Sequence, residues 1–132
     1  METKVKLSST TSLMQFEGEN AKGQKITLGN DGQTVGPMQS VLLAAASCSS
    51  IDVVMILEKM QQKLEKIEVE ISGKRAEEHP KIYTDIHMHF TFTGEVLEPK
   101  AARAIELSLT KYCSVSLMLA KSANITSSFE IK

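Results

Sequence analysis

The segment from Gly36 to Lys63, GPMQSVLLAAASCSSIDVVMILEKMQQK, decides the fold. Proline suits the first turn of a helix, because the N–H that it lacks would have no partner there. Neither glycine nor a further proline follows, so the composition predicts a helix from Met38 to Lys63. Its first half is apolar on nearly every face, which is typical of a buried helix. Since one small domain struggles to cover such a helix, we expect a partner subunit to cover part of it.

The residues before this helix predict a β-meander of three short strands. Segments rich in alternating apolar residues run from Lys4 to Thr10, from Ser12 to Gly18 and from Lys25 to Gly29. Turn-forming residues stand between and after them at 20–23 (NAKG) and 30–32 (NDG).

The residues after the helix predict two further strands, two helices and a final strand. The segments Lys66 to Lys74 and Ile82 to Gly94 both alternate, so each strand has one dry and one wet face. Glu98-Pro99 opens a helix, a short helix follows Cys113, and a strand runs from Asn124 to Lys132. Grouped strands with helices packed on one face make an α+β fold.

Size, composition and charge exclude several classes of protein. A chain of 132 residues fits a single domain spanning residues 1–132. The net charge of −1, with both signs spread along the chain, provides no basic stripe for nucleic acid or for anionic lipid. The start, METKVKLSST, lacks the apolar stretch of a signal peptide, and the longest apolar run, Val41 to Ala46, is far below the ~20 residues that cross a bilayer. We therefore expect a cytoplasmic protein without a membrane or nucleic-acid partner.

Cys48 and Cys113 are the candidate reactive residues. In a reducing compartment two cysteines that meet form a transient or catalytic disulfide, whereas two that do not meet are small buried hydrophobes. Small residues surround Cys48, and Asp52, one helical turn on, is the only acid nearby in sequence. A buried thiol needs a polar helper from elsewhere in the fold to become reactive.

Cys113 stands at the joint between two predicted helices, where it could cap the second one. The positive end of that helix would favour a thiolate. His87 and His89 form an H-x-H pair on the wet face of a strand, which they share with Tyr83, Asp85 and Thr91. A metal would need further ligands there, and no nucleotide-binding glycine pattern is present, so we predict neither a metal nor a cofactor.

Two separated motifs resemble the OsmC/Ohr (organic hydroperoxide resistance) family. Pro37 followed by an Ala-rich apolar helix and Cys48 is the first, and Cys113-Ser114-Val115-Ser116 is the second. The segments 48–54 (CSSIDVV) and 111–116 (KYCSVS) resemble an uncharacterised OsmC-like subgroup in particular. The resemblance covers nearly the whole chain and implies an intertwined homodimer, with the long helix at its centre and active sites at the subunit interface.

The resemblance also implies a chemistry. Cys48 would be the peroxidatic thiol that attacks a small organic hydroperoxide, and Cys113 would resolve the sulfenic acid as a disulfide. A cellular dithiol would then reduce the disulfide.

The chain departs from the family at the residues that activate the peroxidatic cysteine. Peroxidases of the family use a glutamate just after the proline and an arginine from the N-terminal strands. Here Met38 and Gln39 follow Pro37, and the first arginine is Arg75. Gln39 is thus the polar candidate at the glutamate position, and it supplies a hydrogen bond without a charge. The basic residues that could replace the arginine across a dimer are Lys22, Lys25, Arg75 and Arg103.

Three functions remain open at this point. The first is a thiol-dependent organic hydroperoxide reductase. The second is a non-catalytic protein that uses the apolar interface to bind a small hydrophobic ligand. The third is a redox sensor in which a Cys48–Cys113 disulfide changes a surface without turnover.

Overall fold

The computed structural model describes residues 1–132. Its internal contacts divide the chain into two compact units, Met1–Val41 and Leu42–Lys132, each with its own sheet. The prediction of a single domain stays a prediction.

The first unit contains the predicted meander. Strands β1 (Val5–Ser9), β2 (Gln15–Asn20) and β3 (Lys25–Gly29) pair antiparallel in the order β1-β2-β3. The turn between β2 and β3 is closed by the Asn20 side chain, whose Oδ1 accepts hydrogen bonds from the N–H groups of Lys22 and Gln24 at 3.0 and 2.9 Å. This is the turn chemistry that asparagine favours.

Helix α1 (Pro37–Lys59) begins at the predicted proline and ends four residues before the predicted end at Lys63. Gln61 adopts a left-handed conformation, with φ of 60°, and the Gln62 N–H donates to the Leu57 carbonyl at 2.9 Å, which closes the helix. Lys63 instead pairs with Glu95 in the second sheet. Tertiary strand pairing thus outweighs the helix propensity of these residues.

The second unit buries one face of α1. Ala45, Val53 and Leu57 are fully buried, whereas the apolar side chains of Leu43 and Ile51 are more than half exposed. Within one chain, helix α1 is therefore not buried on every side. By length and composition α1 could cross a bilayer, but the core helix of a soluble protein passes the same test.

The second sheet supplies one side of the core. Strands β4 (Lys63–Arg75), β5 (Tyr83–Glu95) and β6 (Asn124–Ile131) lie in the order β4-β5-β6, with β5 antiparallel to β4 and parallel to β6. The predicted dry face of β5 is confirmed at Ile86, Met88 and Phe90, which are buried, but it is wrong at Ile82 and Thr84, which are exposed. Phe92 continues it, with its ring centroid 6.1 Å from that of Phe90.

Tyr83 was predicted on the wet face of β5, and this is wrong: it is buried. The register between β4 and β5 shifts between Lys74 and Arg75, so that Lys74 pairs with Asp85 and Arg75 with Tyr83. A bulge of this kind turns the following side chain to the other face. Gly73 makes room for the ring, because a Cβ there would lie 2.6 Å from the Tyr83 Cε1.

The connection from β5 to β6 holds the remaining helices. Helix α2 (Glu98–Leu107) leads into a π-helical turn, Ser108–Tyr112, and α3 (Ser114–Leu119) follows after Cys113. The Cys113 N–H closes the π-helical turn by donating to the Ser108 carbonyl at 2.7 Å. This turn places Cys113 at the joint between the helices, as predicted.

Candidate functional site

The two cysteines meet in the second unit. The sulfur atoms of Cys48 and Cys113 and a carboxylate oxygen of Asp52 all lie within 4.8 Å of one another. Cys48 is half-buried in the middle of α1, whereas Cys113 has no exposed surface. The two residues that the sequence singled out are therefore brought together, and both are free thiols.

Local structure explains this meeting. Cys48 and Asp52 are one helical turn apart, so both side chains leave α1 on the same face. Ala45, on the preceding turn, is fully buried, and the Cys113 sulfur lies 4.0 Å from its carbonyl oxygen.

The Cys113 side chain caps α3. Its sulfur accepts a hydrogen bond from the Ser116 N–H at 3.4 Å, and its thiol donates to the Ser116 Oγ at 3.1 Å. The predicted capping role is thus confirmed. The expected stabilisation of a thiolate is not confirmed, because burial raises the pKa of Cys113. The hydrogen bonds with Ser116 lower this pKa and the neighbouring Cys48 raises it, and the net shift is upward. Cys113 is therefore a protonated thiol at neutral pH.

A buried hydroxyl network lies beside the sulfurs. The Ser49 and Ser108 hydroxyl oxygens are 3.0 Å apart, and the Ser108 hydroxyl donates to the Asp52 Oδ2 at 3.0 Å. Both serines are fully buried. Asp52 is thus fixed by the π-helical turn as well as by its own helix, and its carboxylate is held toward the cysteines.

Sequence reasoning missed Ser49, Ser108 and Ser116 as members of the site. Serines in apolar helical segments are a weak signal, because most of them bond to their own helix. Of the three serines, only Ser116 could be identified from the sequence. It stands three residues after the capping residue Cys113, where the N–H that receives the cap is expected.

A shallow hollow of about 130 Å³ adjoins the site on the side of Asp52. It is lined by Asp52, Met55, Ile56, Lys59 and Tyr112. Apart from the acid and the lysine, these side chains are apolar or aromatic. The hollow could hold a small organic group next to the sulfurs.

Gln39, the third predicted site residue, lies at the start of α1 and is exposed. Its Oε1 accepts a hydrogen bond from the Gly36 N–H at 2.8 Å, and this bond satisfies one of the free N–H groups at the helix start. A role for Gln39 in catalysis stays a prediction.

The histidine pair lies on β5 and is engaged by β6. The two ring nitrogens of His87 lie 2.7 and 2.9 Å from the hydroxyls of Thr126 and Ser128, and His89 lies 2.7 Å from the Ser128 hydroxyl. Glu130 lies 3.5 Å from the other nitrogen of His89. The pair thus belongs to a cross-strand polar ladder.

Fold and site together define an α+β protein with a dithiol between a long central helix and a helical crossover. The family model described as "OsmC-like protein" matches residues 29–128, and the chain belongs to this family. The resemblance and the α+β fold inferred from the sequence are confirmed. The intertwined homodimer stays a prediction.

Individual relatives agree with this assignment. The protein YhfA of Escherichia coli K12 is 48% identical over 121 residues, covering 89% of this chain and 90% of that protein. A hypothetical protein from Aquifex aeolicus VF5 has a solved structure with a TM-score of 0.91 and 38% identity, covering 100% of this chain and 98% of the other. An organic hydroperoxide resistance protein OsmC from Legionella pneumophila shares the fold, with a TM-score of 0.74, 14% identity and coverage of 98% and 97%.

Proposed function

We propose that this chain is a thiol-dependent peroxidase that reduces small organic hydroperoxides. The observation that carries the proposal is the approach of the Cys48 and Cys113 sulfurs to within 4.8 Å, from distant parts of the chain. A disulfide requires the sulfurs to come within ~2.05 Å, which side-chain rotation and a small helix movement can supply. Some members of the family are named for resistance to organic hydroperoxides.

The two cysteines differ in the way that the reaction requires. Cys48 is half-buried and reachable from outside, whereas Cys113 is buried and protonated. In the first step the Cys48 thiolate attacks the hydroperoxide, the O–O bond breaks, and the alkoxide leaves as an alcohol after taking a proton. In the second step the Cys113 sulfur attacks the sulfenic acid, and the hydroxide leaves with the Cys113 proton as water. A cellular dithiol then reduces the disulfide.

The hollow beside Asp52 favours an organic substrate over hydrogen peroxide. Met55, Ile56 and Tyr112 offer an apolar surface to an alkyl group, and burial of such a group contributes about 25 cal/mol per Å². Hydrogen peroxide has no group to place there.

The working form that we propose is a cytoplasmic homodimer. In the first unit Val5, Leu7 and Ile26 expose 76%, 58% and 59% of their surface and line an open hollow of about 450 Å³. In the second unit α1 exposes Leu43 and Ile51. A second copy of the chain would cover such apolar surface, and a reducing compartment would keep both thiols available.

Steady-state consumption of an alkyl hydroperoxide, with a small dithiol as reductant, tests the proposal. Cys48→Ser should abolish turnover, whereas Cys113→Ser should consume one equivalent and then stop or overoxidise. Ser47→Ala is the matched control, because Ser47 is an exposed neighbour on the same helix. Turnover by Cys48→Ser at the rate of the unchanged protein would refute the proposal.

Alkylation tests the assigned roles separately. Iodoacetamide at neutral pH should label Cys48 before Cys113, as read by peptide mass spectrometry, because Cys113 is both buried and protonated. Equal labelling of both residues in the folded protein would contradict the roles.

One observation favours a second candidate, a redox sensor without rapid turnover. The Asp52 carboxylate lies within 4.8 Å of both sulfurs, whereas the arginine that peroxidases of the family use is absent from the N-terminal strands, since the first arginine is Arg75. Negative charge opposes formation of a thiolate. Stoichiometric disulfide formation by hydroperoxide, together with a turnover rate no higher than that of free thiol, would select the sensor.

A further inference from the structure

We propose that the reduced site also binds a divalent cation of the Zn²⁺ class, through the sulfurs of Cys48 and Cys113 and a carboxylate oxygen of Asp52. The three donor atoms lie within 4.8 Å of one another. This binding goes beyond the peroxidase proposal and does not depend on it, because it needs only the reduced thiols and the carboxylate.

The spacing of the donors suits a tetrahedral centre. With Zn–S bonds of ~2.3 Å and Zn–O bonds of ~2.0–2.2 Å, two donors of a tetrahedral site lie roughly 3.5–3.8 Å apart. The donors lie within 4.8 Å of one another, so they need to approach by roughly 1.0–1.3 Å at most, which small side-chain rotations supply. Cys48 and Asp52 reach the site from α1, and Cys113 reaches it from the joint between the π-helical turn and α3.

The donor types select the cation. Two sulfurs favour zinc and similar metals, whereas calcium and magnesium prefer all-oxygen sites. Two thiolates and a carboxylate bring three negative charges together, which is costly without a counter-ion and favourable around a dication. The negative charge of Asp52, which does not help a thiolate to form, thus has a use in this site.

Neighbouring groups already orient the donors. The Ser108 hydroxyl donates to the Asp52 Oδ2 at 3.0 Å, and the Ser116 N–H donates to the Cys113 sulfur at 3.4 Å. Such outer hydrogen bonds hold ligands in position at metal sites. When Cys113 loses its proton to the metal, the Ser116 hydroxyl can rotate and donate to the sulfur instead. Three protein ligands leave a fourth position for water.

Metal binding and oxidation exclude each other. Zn²⁺ displaces one proton from each thiol, so two protons are released and affinity rises with pH. A Cys48–Cys113 disulfide removes both sulfur donors, and bound metal occupies the lone pairs with which Cys48 would attack. The cation would therefore protect the dithiol from oxidation.

An anaerobic titration of the reduced protein tests this inference. Zn²⁺ is added in the presence of a metallochromic chelator, and Cd²⁺ is added in parallel to read thiolate-to-metal absorbance in the ultraviolet. We expect one ion per chain and no binding after oxidation to the disulfide. Asp52→Asn should weaken Zn²⁺ binding by at least about tenfold. Loss of a group that only hydrogen-bonds to a metal ligand already weakens binding by about that factor. Glu58→Gln, which removes an exposed acid from the same helix, should leave it unchanged.

Two outcomes would overturn the inference. Undiminished binding by the Cys48→Ser/Cys113→Ser double variant would place the metal elsewhere, and undiminished binding by Asp52→Asn would remove the carboxylate from the site. Circular dichroism shows whether each variant is folded, and Asp52→Asn retains both thiols. Because no hydroperoxide is present, absence of peroxidase activity cannot cause either result.

Discussion

Ser108→Ala offers a quantitative test of the hydroxyl network beside the cysteines. The Ser108 hydroxyl bonds to both the Ser49 hydroxyl and the Asp52 carboxylate, at 3.0 Å each, and both serines are fully buried. Removal of this hydroxyl leaves the buried Ser49 hydroxyl without its side-chain partner, which costs ~1–3 kcal/mol. The bond to Asp52 is lost too, but Asp52 is partly exposed and water can replace it. We expect a loss of about 2–3 kcal/mol in the free energy of unfolding.

Ser49→Ala removes the other end of the network at a smaller cost. Ser108 retains its bond to Asp52, so no buried polar group loses its last partner, and the expected loss is about 0.5–1.5 kcal/mol. Ser47→Ala, at an exposed serine of the same helix, should stay within about 0.5 kcal/mol of the unchanged protein.

The assay is equilibrium unfolding in urea with a reductant, at one protein concentration, because any dimerisation makes the apparent stability depend on concentration. A Ser108→Ala variant no less stable than Ser49→Ala would refute the central position of Ser108. A double variant whose loss equals the sum of the two single losses would show that the hydroxyls do not act together.

Further predictions concern glycine and pH. Gly94→Ala should destabilise the protein by more than Gly32→Ala. Both glycines have a positive φ, 130° and 79°, so an alanine at either position costs ~1–2 kcal/mol in backbone strain. In addition, a Cβ at Gly94 would lie 2.3 Å from the Lys63 carbonyl oxygen, whereas a Cβ at Gly32 would meet nothing within 4 Å. Thermal unfolding of the two variants measures the difference, and equal losses would contradict the close backbone approach. Stability should fall as pH rises above the ordinary thiol pKa of 9.0, since the raised pKa of Cys113 keeps its proton in the folded chain after the unfolded chain has released it. Cys113→Ser should remove this part of the decline in urea midpoints between neutral and alkaline pH, and an unchanged slope would show that Cys113 does not contribute.

Much of the fold was accessible from local patterns. The alternation in β4 and β5, the turn residues around Asn20 and the proline at the start of α1 predicted elements that the structure contains. These signals depend on neighbours in sequence, so no tertiary contact is needed to read them. The end of α1 and the bulge that buries Tyr83 were not accessible, because both arise from the pairing of β4 with β5.

The candidate site divides in the same way. Residue type and spacing identified Cys48 and Cys113, and the helix joint predicted that Cys113 caps α3. The protonation of Cys113 could not be predicted, because burial and the helix end act in opposite directions, and only the folded surroundings show that burial outweighs the hydrogen bonds from Ser116.

By itself, the sequence determined the order of elements, the central apolar helix and the identity of the two thiols, since these follow from composition and periodicity along the chain. Only the tertiary structure decided that both sulfurs share one site with the Asp52 carboxylate, and that Ser108 holds that carboxylate in place. The physical reason is that α1 and the π-helical turn are distant in sequence and are brought together by packing against a common sheet, which no local pattern encodes.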